Sequence, residues 1–481
     1  MTLAKMQTRR GSTAEWEAAN PVLDSGEMGY DTTTGELRVG NGVGTWASLT
    51  PFYPGVPSSP GGGTGNGGGP AIVIAAGNSP TRVKNKADYV CTGTADDVTI
   101  NNAITAADNQ IAGGTGGPRY GSIQLCDGTY NLSKPILIPA RGFTISGMGF
   151  GTAIQPGSSF NGTSTGRGTA SALIKMANTP AANQAGCITI RDLFMSGRCR
   201  LNYGTGSPTG SVHKGIHLEI APGDADAALS VTSTYGYPTG GPNESDNHSI
   251  FENLRIMDTA GGIYVRDTSG ARGFQYKGCA VWFLTDGATA IHSNASDSKV
   301  FQCVTASGGA TNSTGIWMDG GNGLMLQCKA FYFNNTGAVG FNVSSSRATL
   351  VLCESQDNRE GFRLSNVHAE MTGCRVDTQA ASTYGVNASS ANYFSFDGVL
   401  HTRSSGTLTN ALCLPDRSEA GSGRVNAYID PVTGGGISKP VTKGTGFTEV
   451  TASSELPTGI EASITVRGRG TLRRELSYTH P

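Results

Sequence analysis

The chain has 481 residues, of which 15% are charged, and its formal net charge is -1. This length allows about two to four domains, and the near-neutral charge excludes a broad basic surface for nucleic acid. No apolar run reaches the roughly 18 residues of a membrane span, and the first residues lack the apolar core of a signal peptide, so we expect a soluble protein made in the cytosol, with no membrane insertion.

Residues 1–53 predict a small β-rich module. A short helix is expected around Ala14 to Ala19, a polar turn at Thr33 to Gly35, and a hairpin at Asn41-Gly42. About 50 residues are marginal for independent stability, so association with further copies or with a partner is expected. Residues 54–70, PGVPSSPGGGTGNGGGP, predict a flexible linker because glycine, proline and serine dominate them.

Residues 71–121 predict a capping helix. Thr94 to Asp97 form a Thr-x-x-Asp capping pattern, and apolar residues then recur at helical spacing at Ile100, Ile104, Ala107 and Ile111. One amphipathic helix is therefore expected over roughly residues 95–108. From Ser122 onward short alternating segments replace the helical period, which predicts an all-β region over residues 122–414.

A repeat of about 24 residues determines the predicted architecture of that region. One column of the repeat contains Leu254, Cys279, Cys303, Cys328, Cys353, Cys374 and Val399. A second column begins at Gly262, Gly315, Gly340, Gly361 and Gly385, with Ile291 in the remaining turn, and a third apolar segment precedes each first-column residue. Strands this short cannot bury a face alone, so each must stack in parallel on the next coil. The predicted fold is all-β, a right-handed parallel β-helix with three short strands per coil and the helix as its N-terminal cap.

The five cysteines of the first column are predicted to point into the β-helix. Their spacing follows the structural repeat and matches neither a CxxC pair nor a zinc-finger pattern. We expect reduced thiols that pack as small apolar groups. Disulfides between stacked coils are the alternative.

One coil is much longer than the others. Leu193 to Leu254 spans 61 residues, about 36 more than a standard coil, and the excess falls into loops near 199–213 and 221–248. Three tyrosines lie in these loops: Tyr203, Tyr235 and Tyr237. Exposed tyrosines offer flat amphipathic faces, so these three are candidate receptor-binding or glycan-binding residues. Packing onto the rod or onto a neighbouring subunit is the alternative.

Two segments carry a family resemblance. ADYVCTGTADDVTINNAITAA followed by GSIQLCDGTYNLSKPILIPARGFTISGMG resembles the start of the pectate-lyase-like β-helix proteins of phage tailspikes. QTRRGSTAEWEAANPVLDSGEMGYDTTTGELRVGNGVGTWASL resembles the N-terminal module of phage tail fibres and minor tail proteins. The resemblance implies a homotrimeric virion tail protein, synthesised in the host cytoplasm, that binds other tail proteins through residues 1–53 and recognises a host cell-surface glycan or receptor. The alternating pattern of residues 415–481 predicts a small C-terminal β domain.

Catalysis on such a β-helix needs acidic side chains that converge on one outer face. Glu354, Asp357 and Glu360 cluster at one predicted corner, and further aspartates lie on or near neighbouring coils: Asp258, Asp267 and Asp286. Alternation along the strand sends Glu354 outward into a column with Arg255, Lys329 and Arg375, where a solvated charge ladder explains it. The leading interpretation therefore has no catalytic residue. Glu354, Asp357 and Glu360 belong to the alternative, a tailspike depolymerase that cleaves a host surface polysaccharide.

No cofactor and no metal are predicted. His213 and His217 are four residues apart where a strand is expected, and that spacing converges on one metal mainly along a helix. Asp224 and Asp226 form an isolated Asp-x-Asp in the longer loop, which fits a solvated loop better than a calcium site. A secreted polysaccharide lyase, a third possibility, is disfavoured by the tail-like N-terminal module.

Overall fold

The computed structural model describes residues 9–33, 37–49, 51–52, 71–110, 121–139, 143–166, 171–177, 188–198, 214–220, 249–267, 273–378, 381–402, 406–415, 423–431, 436–443, 448–451, 460–468 and 471–478. The chain divides into two compact units, Met1–Pro70 and Ala71–Pro481. Within the described ranges no helix is both long enough and apolar enough to span a membrane.

The first unit is a four-stranded sheet with one short helix. Its elements are β1 (Arg9–Gly11), α1 (Thr13–Ala19), β2 (Met28–Asp31), β3 (Leu37–Val39), a 3-10 helix (Trp46–Ser48) and β4 (Pro51–Phe52). A capping box begins α1, since the Ser12 hydroxyl accepts the Glu15 amide and the Glu15 carboxylate accepts the Ser12 amide. The rings of Trp16 and Trp46 stack at 3.9 Å and form the small core with Leu23 and Leu49.

The predicted hairpin at Asn41-Gly42 is wrong. β2 pairs antiparallel with β3, with Tyr30 opposite Leu37. β3 also pairs antiparallel with β4, with Leu37 opposite Phe52, but these two strands are far apart in sequence and no tight two-residue turn at Asn41-Gly42 joins them. The carboxamide oxygen of Asn41 instead accepts the amides of Val43 and Gly44, which makes a turn that leads into the 3-10 helix. An Asn-Gly pair supplies the positive φ of a turn without determining whether strands flank it.

The second unit is one continuous ladder of strands, and α2 (Thr81–Lys84) and α3 (Asp96–Gln110) lie near its start. The strands are β5 (Ile72–Ala75), β6 (Tyr89–Val90), β7 (Gly121–Leu125), β8 (Gly128–Leu132), β9 (Ile136–Ile138), β10 (Phe143–Pro156), β11 (Ala172–Met176), β12 (Ile188–Ser196), β13 (Lys214–Ile220), β14 (Ile250–Glu252), β15 (Arg255–Asp267), β16 (Gln275–Lys277), β17 (Ala280–Ser293), β18 (Lys299–Phe301), β19 (Val304–Ala306), β20 (Thr314–Met318), β21 (Gly323–Leu326), β22 (Lys329–Phe331), β23 (Val339–Val343), β24 (Arg347–Val351), β25 (Glu354–Gln356), β26 (Glu360–Ser365), β27 (His368–Thr378), β28 (Ala381–Ser390), β29 (Tyr393–Thr402), β30 (Thr407–Leu414), β31 (Gly423–Pro431), β32 (Gly436–Lys443), β33 (Thr448–Glu449), β34 (Ile460–Gly468) and β35 (Thr471–Tyr478).

The predicted parallel β-helix is confirmed. Each strand pairs in parallel with its counterpart one coil later, as β18 does with β21 and β21 with β24. Like side chains therefore stack inside, and the rings of Phe341 and Phe362 lie 4.7 Å apart at an interplanar angle of 10°. This stacking buries the apolar face that a short strand cannot bury by itself.

The cysteine column is buried, as predicted, and its thiols are free. Each thiol also donates to a backbone carbonyl of the preceding coil. Cys328 Sγ lies 3.3 Å from the Val300 oxygen, and Cys353 Sγ lies 3.6 Å from the Met325 oxygen. A thiol fits this column because it is small, apolar and a weak donor.

The register assigned to Val399 is wrong by one residue. Cys374 pairs with Gly398, because Gly373 is an extra residue in β27 that has no counterpart in β29. Val399 consequently pairs with Arg375 and is 38% exposed. A shift of one residue in a strand exchanges the inward and outward faces.

The glycine column exists because the backbones of successive coils approach closely. A Cβ added to Gly361 would lie 2.4 Å from the carbonyl oxygen of Gly385, and one added to Gly385 would lie 2.5 Å from that of Ala411. No side chain larger than hydrogen fits at such separations without moving the backbone. The column therefore sets how tightly consecutive coils stack.

Helix α3 lies against the first coil, as the sequence predicts. Its first two residues are buried and bind that coil. The Asp96 carboxylate accepts the amides of Gly93 and Asn131, and the Asp97 carboxylate accepts the amide of Ser133. The only Asp-Asp pair of the chain thus has a structural role.

The strands after residue 415 extend the same ladder. β31 pairs in parallel with β29, and β34 pairs in parallel with β31. The ladder ends in an antiparallel hairpin of β34 and β35. The predicted β structure of residues 415–481 is therefore present, and its strands are hydrogen-bonded to the preceding coils.

Candidate functional site

The strand segments that follow the cysteine column present one continuous outer face. Its first outward column runs Arg255, Ala280, Val304, Lys329, Glu354, Arg375, Val399, Tyr428. Glu354 lies in the outward column of charged side chains that the alternation of residues along the strand predicts. Lys329 Nζ lies 3.2 Å from Glu354 Oε1, and both side chains are about one-third exposed. This pair is an ordinary surface ion pair.

Glu360 is held inside the coil surface by two partners. Its side chain is 6% exposed, and Oε2 accepts Nε of Arg363 at 2.9 Å and Nη2 at 2.5 Å. Its other oxygen accepts Nδ2 of Asn387 at 3.0 Å. A carboxylate bound so completely stabilises the fold rather than reaching a ligand.

The remaining predicted carboxylates are spread over several coils, and Asp258 and Asp357 occupy the same corner on coils that are not adjacent. Asp357 is buried with a φ of 53° and accepts a hydrogen bond from Gln356. Asp258 is also buried with positive φ, and Asp286 accepts the Thr311 amide at 2.7 Å. The hydrogen bonds made by Glu354, Asp357 and Glu360 go to three different sets of partners.

Several sequence candidates lie outside the described residues. They are Tyr203, Tyr235, Tyr237, His213, Asp224 and Asp226, together with the side chains of His217 and Asp267. The described residues contain no group of three or more histidine, cysteine or acidic side chains that could hold a metal ion.

A charged cluster that the sequence analysis did not identify lies farther along the outer face. The Asp377 side chain is fully buried, and Oδ2 lies 3.2 Å from Nη2 of Arg375. Its Oδ1 lies 3.2 Å from Nε2 of His401 on the next coil. The one available signal was alternation, since Arg375 and Asp377 are two residues apart and share a face.

A cleft opens beside this cluster. Its cavity volume is about 360 Å³. Six side chains line it, namely Arg375, Asp397, Val399, Asn426, Tyr428 and Thr465, and the small residues Gly373, Gly398 and Ala427 also contribute. We call this feature the corner cleft.

The corner cleft arises from the register shift at Gly373. In preceding coils the corner residue has a left-handed backbone, with φ of 52° at Gln302, 53° at Gln327 and 53° at Leu352, and its side chain covers the corner. Gly373 has φ of 62° and no side chain, and β29 has no residue at that position. These corner residues form a column along the β-helix, which we call the corner column. It ends at Gly373, and the surface is therefore open there.

Two polar side chains on the rim of the cleft are already oriented. Asn426 Nδ2 donates to Oδ1 of Asp397 at 3.0 Å, and both residues are exposed. Tyr428 is half-buried in the opposite column beside Val399. The cleft therefore combines a carboxylate, a carboxamide, a guanidinium and an aromatic ring.

Residues 6–44 match the protein family described as "Major tropism determinant N-terminal domain". This match confirms the resemblance of the opening module to the N-terminal modules of phage tail proteins. No curated protein matches the chain in sequence.

This chain is similar to several solved structures. The gp42 tailspike of Acinetobacter phage vb_AbaP_AS12 is 11% identical, with 98% of this chain and 76% of that chain covered and a TM-score of 0.43. The enzymatically active domain of tailspike protein 2 of bacteriophage CBA120 is 10% identical, with 96% and 57% covered and a TM-score of 0.42. The A-module of the Azotobacter vinelandii mannuronan C-5 epimerase AlgE6 is 15% identical, with 78% and 90% covered and a TM-score of 0.38.

Proposed function

We propose that this protein is a component of a phage tail that attaches the virion to the host cell surface. One observation carries the proposal: a module of the tropism-determinant type is joined in one chain to a parallel β-helix. A small module with its own Trp16–Trp46 core suits a fixed anchor on other tail proteins. A β-helix whose coils are held together by parallel strand pairing suits the presentation of a rigid binding surface.

The proposed assembly is a homotrimer in the virion tail. Among the described residues of the first unit, the core consists of four buried apolar side chains, Trp16, Leu23, Trp46 and Leu49. So small a core is strengthened when it packs against copies of itself or against tail partners. A glycan or receptor on the host envelope is the proposed external partner.

Recognition is proposed to involve the two loops of the enlarged coil, through Tyr203, Tyr235 and Tyr237. Regular coils are constrained by stacking, whereas added loop residues have no architectural role and are free to bind. Shortening both loops to the length of a standard coil should leave the fold intact and abolish adsorption to host cells. Normal adsorption by the shortened protein would place recognition elsewhere on the chain.

A depolymerase is the second candidate function, and a specific arrangement favours it. His401 Nε2 lies 3.2 Å from a buried carboxylate oxygen of Asp377 and 3.3 Å from Nη2 of Arg375, and Arg375 lines the corner cleft. An imidazole and a carboxylate are the groups that general acid-base catalysis uses. The test is incubation of the protein and of a His401→Gln variant with host envelope polysaccharide, followed by measurement of new reducing ends and unsaturated products. Activity that depends on His401 would support cleavage, and no products from either protein would exclude it.

A further inference from the structure

We propose that the corner cleft binds an uncharged sugar unit of a host-surface glycan. This inference rests on the proposed function and names its ligand class and a site for it. The cleft volume of about 360 Å³ lies within the range of small-ligand sites. It lies where the corner column ends, so ligand binding there does not require displacement of a corner side chain.

The polar groups of the cleft suit neighbouring sugar hydroxyls. The hydrogen bond between Asn426 and Asp397 fixes both planar groups and leaves the second carboxylate oxygen and the carboxamide oxygen available as acceptors. A hydroxyl can donate to either oxygen. Because the two groups orient each other, little side-chain entropy is lost when a ligand binds.

The outward column that contains Val399 and Tyr428 supplies an aromatic surface. Tyr428 is half-buried, and Val399 beside it is 38% exposed. An aromatic ring gives the apolar face of a sugar a flat contact. The cleft thus offers hydrogen-bond acceptors on one side and apolar surface on the other.

The charges of the cleft select against an acidic sugar. The guanidinium of Arg375 is compensated by the buried carboxylate of Asp377. The Asp397 carboxylate has a neutral partner, Asn426, so its charge is uncompensated within the cleft. The carboxylate of a uronic acid would meet like charge there, whereas a neutral hexose would not.

The test uses the full chain and saturation-transfer NMR with three disaccharides: lactose, N,N'-diacetylchitobiose and digalacturonate. At least one of the two neutral sugars should receive saturation from the protein, and digalacturonate should not. An Asp397→Ala variant should bind the neutral sugar about tenfold or more weakly. A Glu252→Ala variant is the matched control, because Glu252 lines a second surface cavity of about 350 Å³ at the same corner.

A second variant tests the charge argument separately. Asp397→Asn keeps the planar group and removes the charge, so digalacturonate should gain binding relative to the native protein. Thermal unfolding of each variant establishes that the exposed substitutions leave the fold intact. The proposal is overturned if neither neutral sugar binds, if Asp397→Ala binds as well as Glu252→Ala, or if digalacturonate binds the native protein as well as a neutral sugar does. The proposed attachment function is tested separately. It is contradicted if virions that lack this protein still adsorb to host cells.

Discussion

His401 Nε2 lies 3.2 Å from Oδ1 of Asp377, and the two residues come from consecutive coils of the β-helix. The Asp377 side chain is fully buried, and Arg375 contacts its other oxygen. A buried carboxylate needs partners of this kind because its desolvation is costly. The cluster therefore joins two coils at the outer face as well as standing beside the corner cleft.

Replacing Asp377 with Asn should lower the free energy of unfolding by about 1 to 3 kcal/mol, because the charge that holds Arg375 and His401 is lost. Thermal and urea unfolding followed by circular dichroism measure the change. Asp397→Asn is the control and should cost no more than about 0.5 kcal/mol, since that carboxylate is exposed. Equal losses in the two variants would contradict a stabilising role for the cluster.

The Glu360→Gln and Glu354→Gln variants should lose different amounts of unfolding free energy in the same unfolding assay. The first removes the charge of a buried carboxylate bound by Arg363 and should cost about 1 to 3 kcal/mol. The second weakens a surface pair with Lys329 and should cost at most about 1 kcal/mol. Neither variant should change adsorption to host cells, and loss of a glycan-cleaving activity in either would favour the depolymerase.

A Gly361→Ala substitution should destabilise the β-helix by about 1 to 3 kcal/mol. The added Cβ would lie 2.4 Å from the Gly385 carbonyl oxygen. This oxygen belongs to the backbone of the next coil, which cannot move aside as a flexible side chain can. Gly321→Ala is the matched control. The nearest atoms to a Cβ there are the side-chain oxygens of Ser296 and Ser346, at 3.2 and 3.3 Å, so the contact is with side chains at longer distance and not with backbone. Unfolding curves that coincide for the two variants would show that the coil spacing is not set by this column.

The column cysteines should resist alkylation in the native protein. A short iodoacetamide pulse followed by peptide mapping should leave Cys279, Cys303, Cys328 and Cys353 unlabelled, whereas half-buried Cys126 reacts sooner. Rapid labelling of the column would contradict its burial.

Stability should also fall above about pH 9. Burial raises the pKa of Cys413 from 9.0 to about 12 and that of Cys91 likewise to about 12. At pH values between 9.0 and about 12, the unfolded chain releases thiol protons that the folded chain retains. A rise in pH within this range therefore favours unfolding. Unfolding temperatures measured from pH 8 to pH 11 test this sign, and variants with serine at Cys91 and Cys413 should show a smaller decline.

Removal of residues 1–53 should abolish incorporation into virions and leave the β-helix folded. The first unit has its own core, and a Trp46→Ala substitution, which breaks the stack with Trp16, should have the same effect on incorporation. Val43→Ala, at a residue 83% exposed, is the control for an unrelated surface change. Virions that still contain the shortened chain would show that the anchor lies elsewhere.

The amino-acid sequence was sufficient to predict the β-helix, its capping helix and the inward cysteines. These features follow from periodicity, because each short strand must repeat its apolar pattern at the next coil to be buried. The helices predicted over roughly residues 95–108 and around Ala14 to Ala19 are local patterns as well, and the structure has both.

The arrangement of side chains on the outer face became clear from the stacking of the coils. β29 has no counterpart of Gly373, and this one-residue shift turns Val399 outward and opens the corner cleft. The sequence does not reveal the shift, because the spacing of the repeat already varies between 21 and 25 residues. Asp377 meets His401 because their coils stack, although 24 residues separate them along the chain. Inward positions follow the repeat because similar apolar side chains must stack in the core. Outward positions can differ from coil to coil, so their contacts depend on the register of each pair of coils.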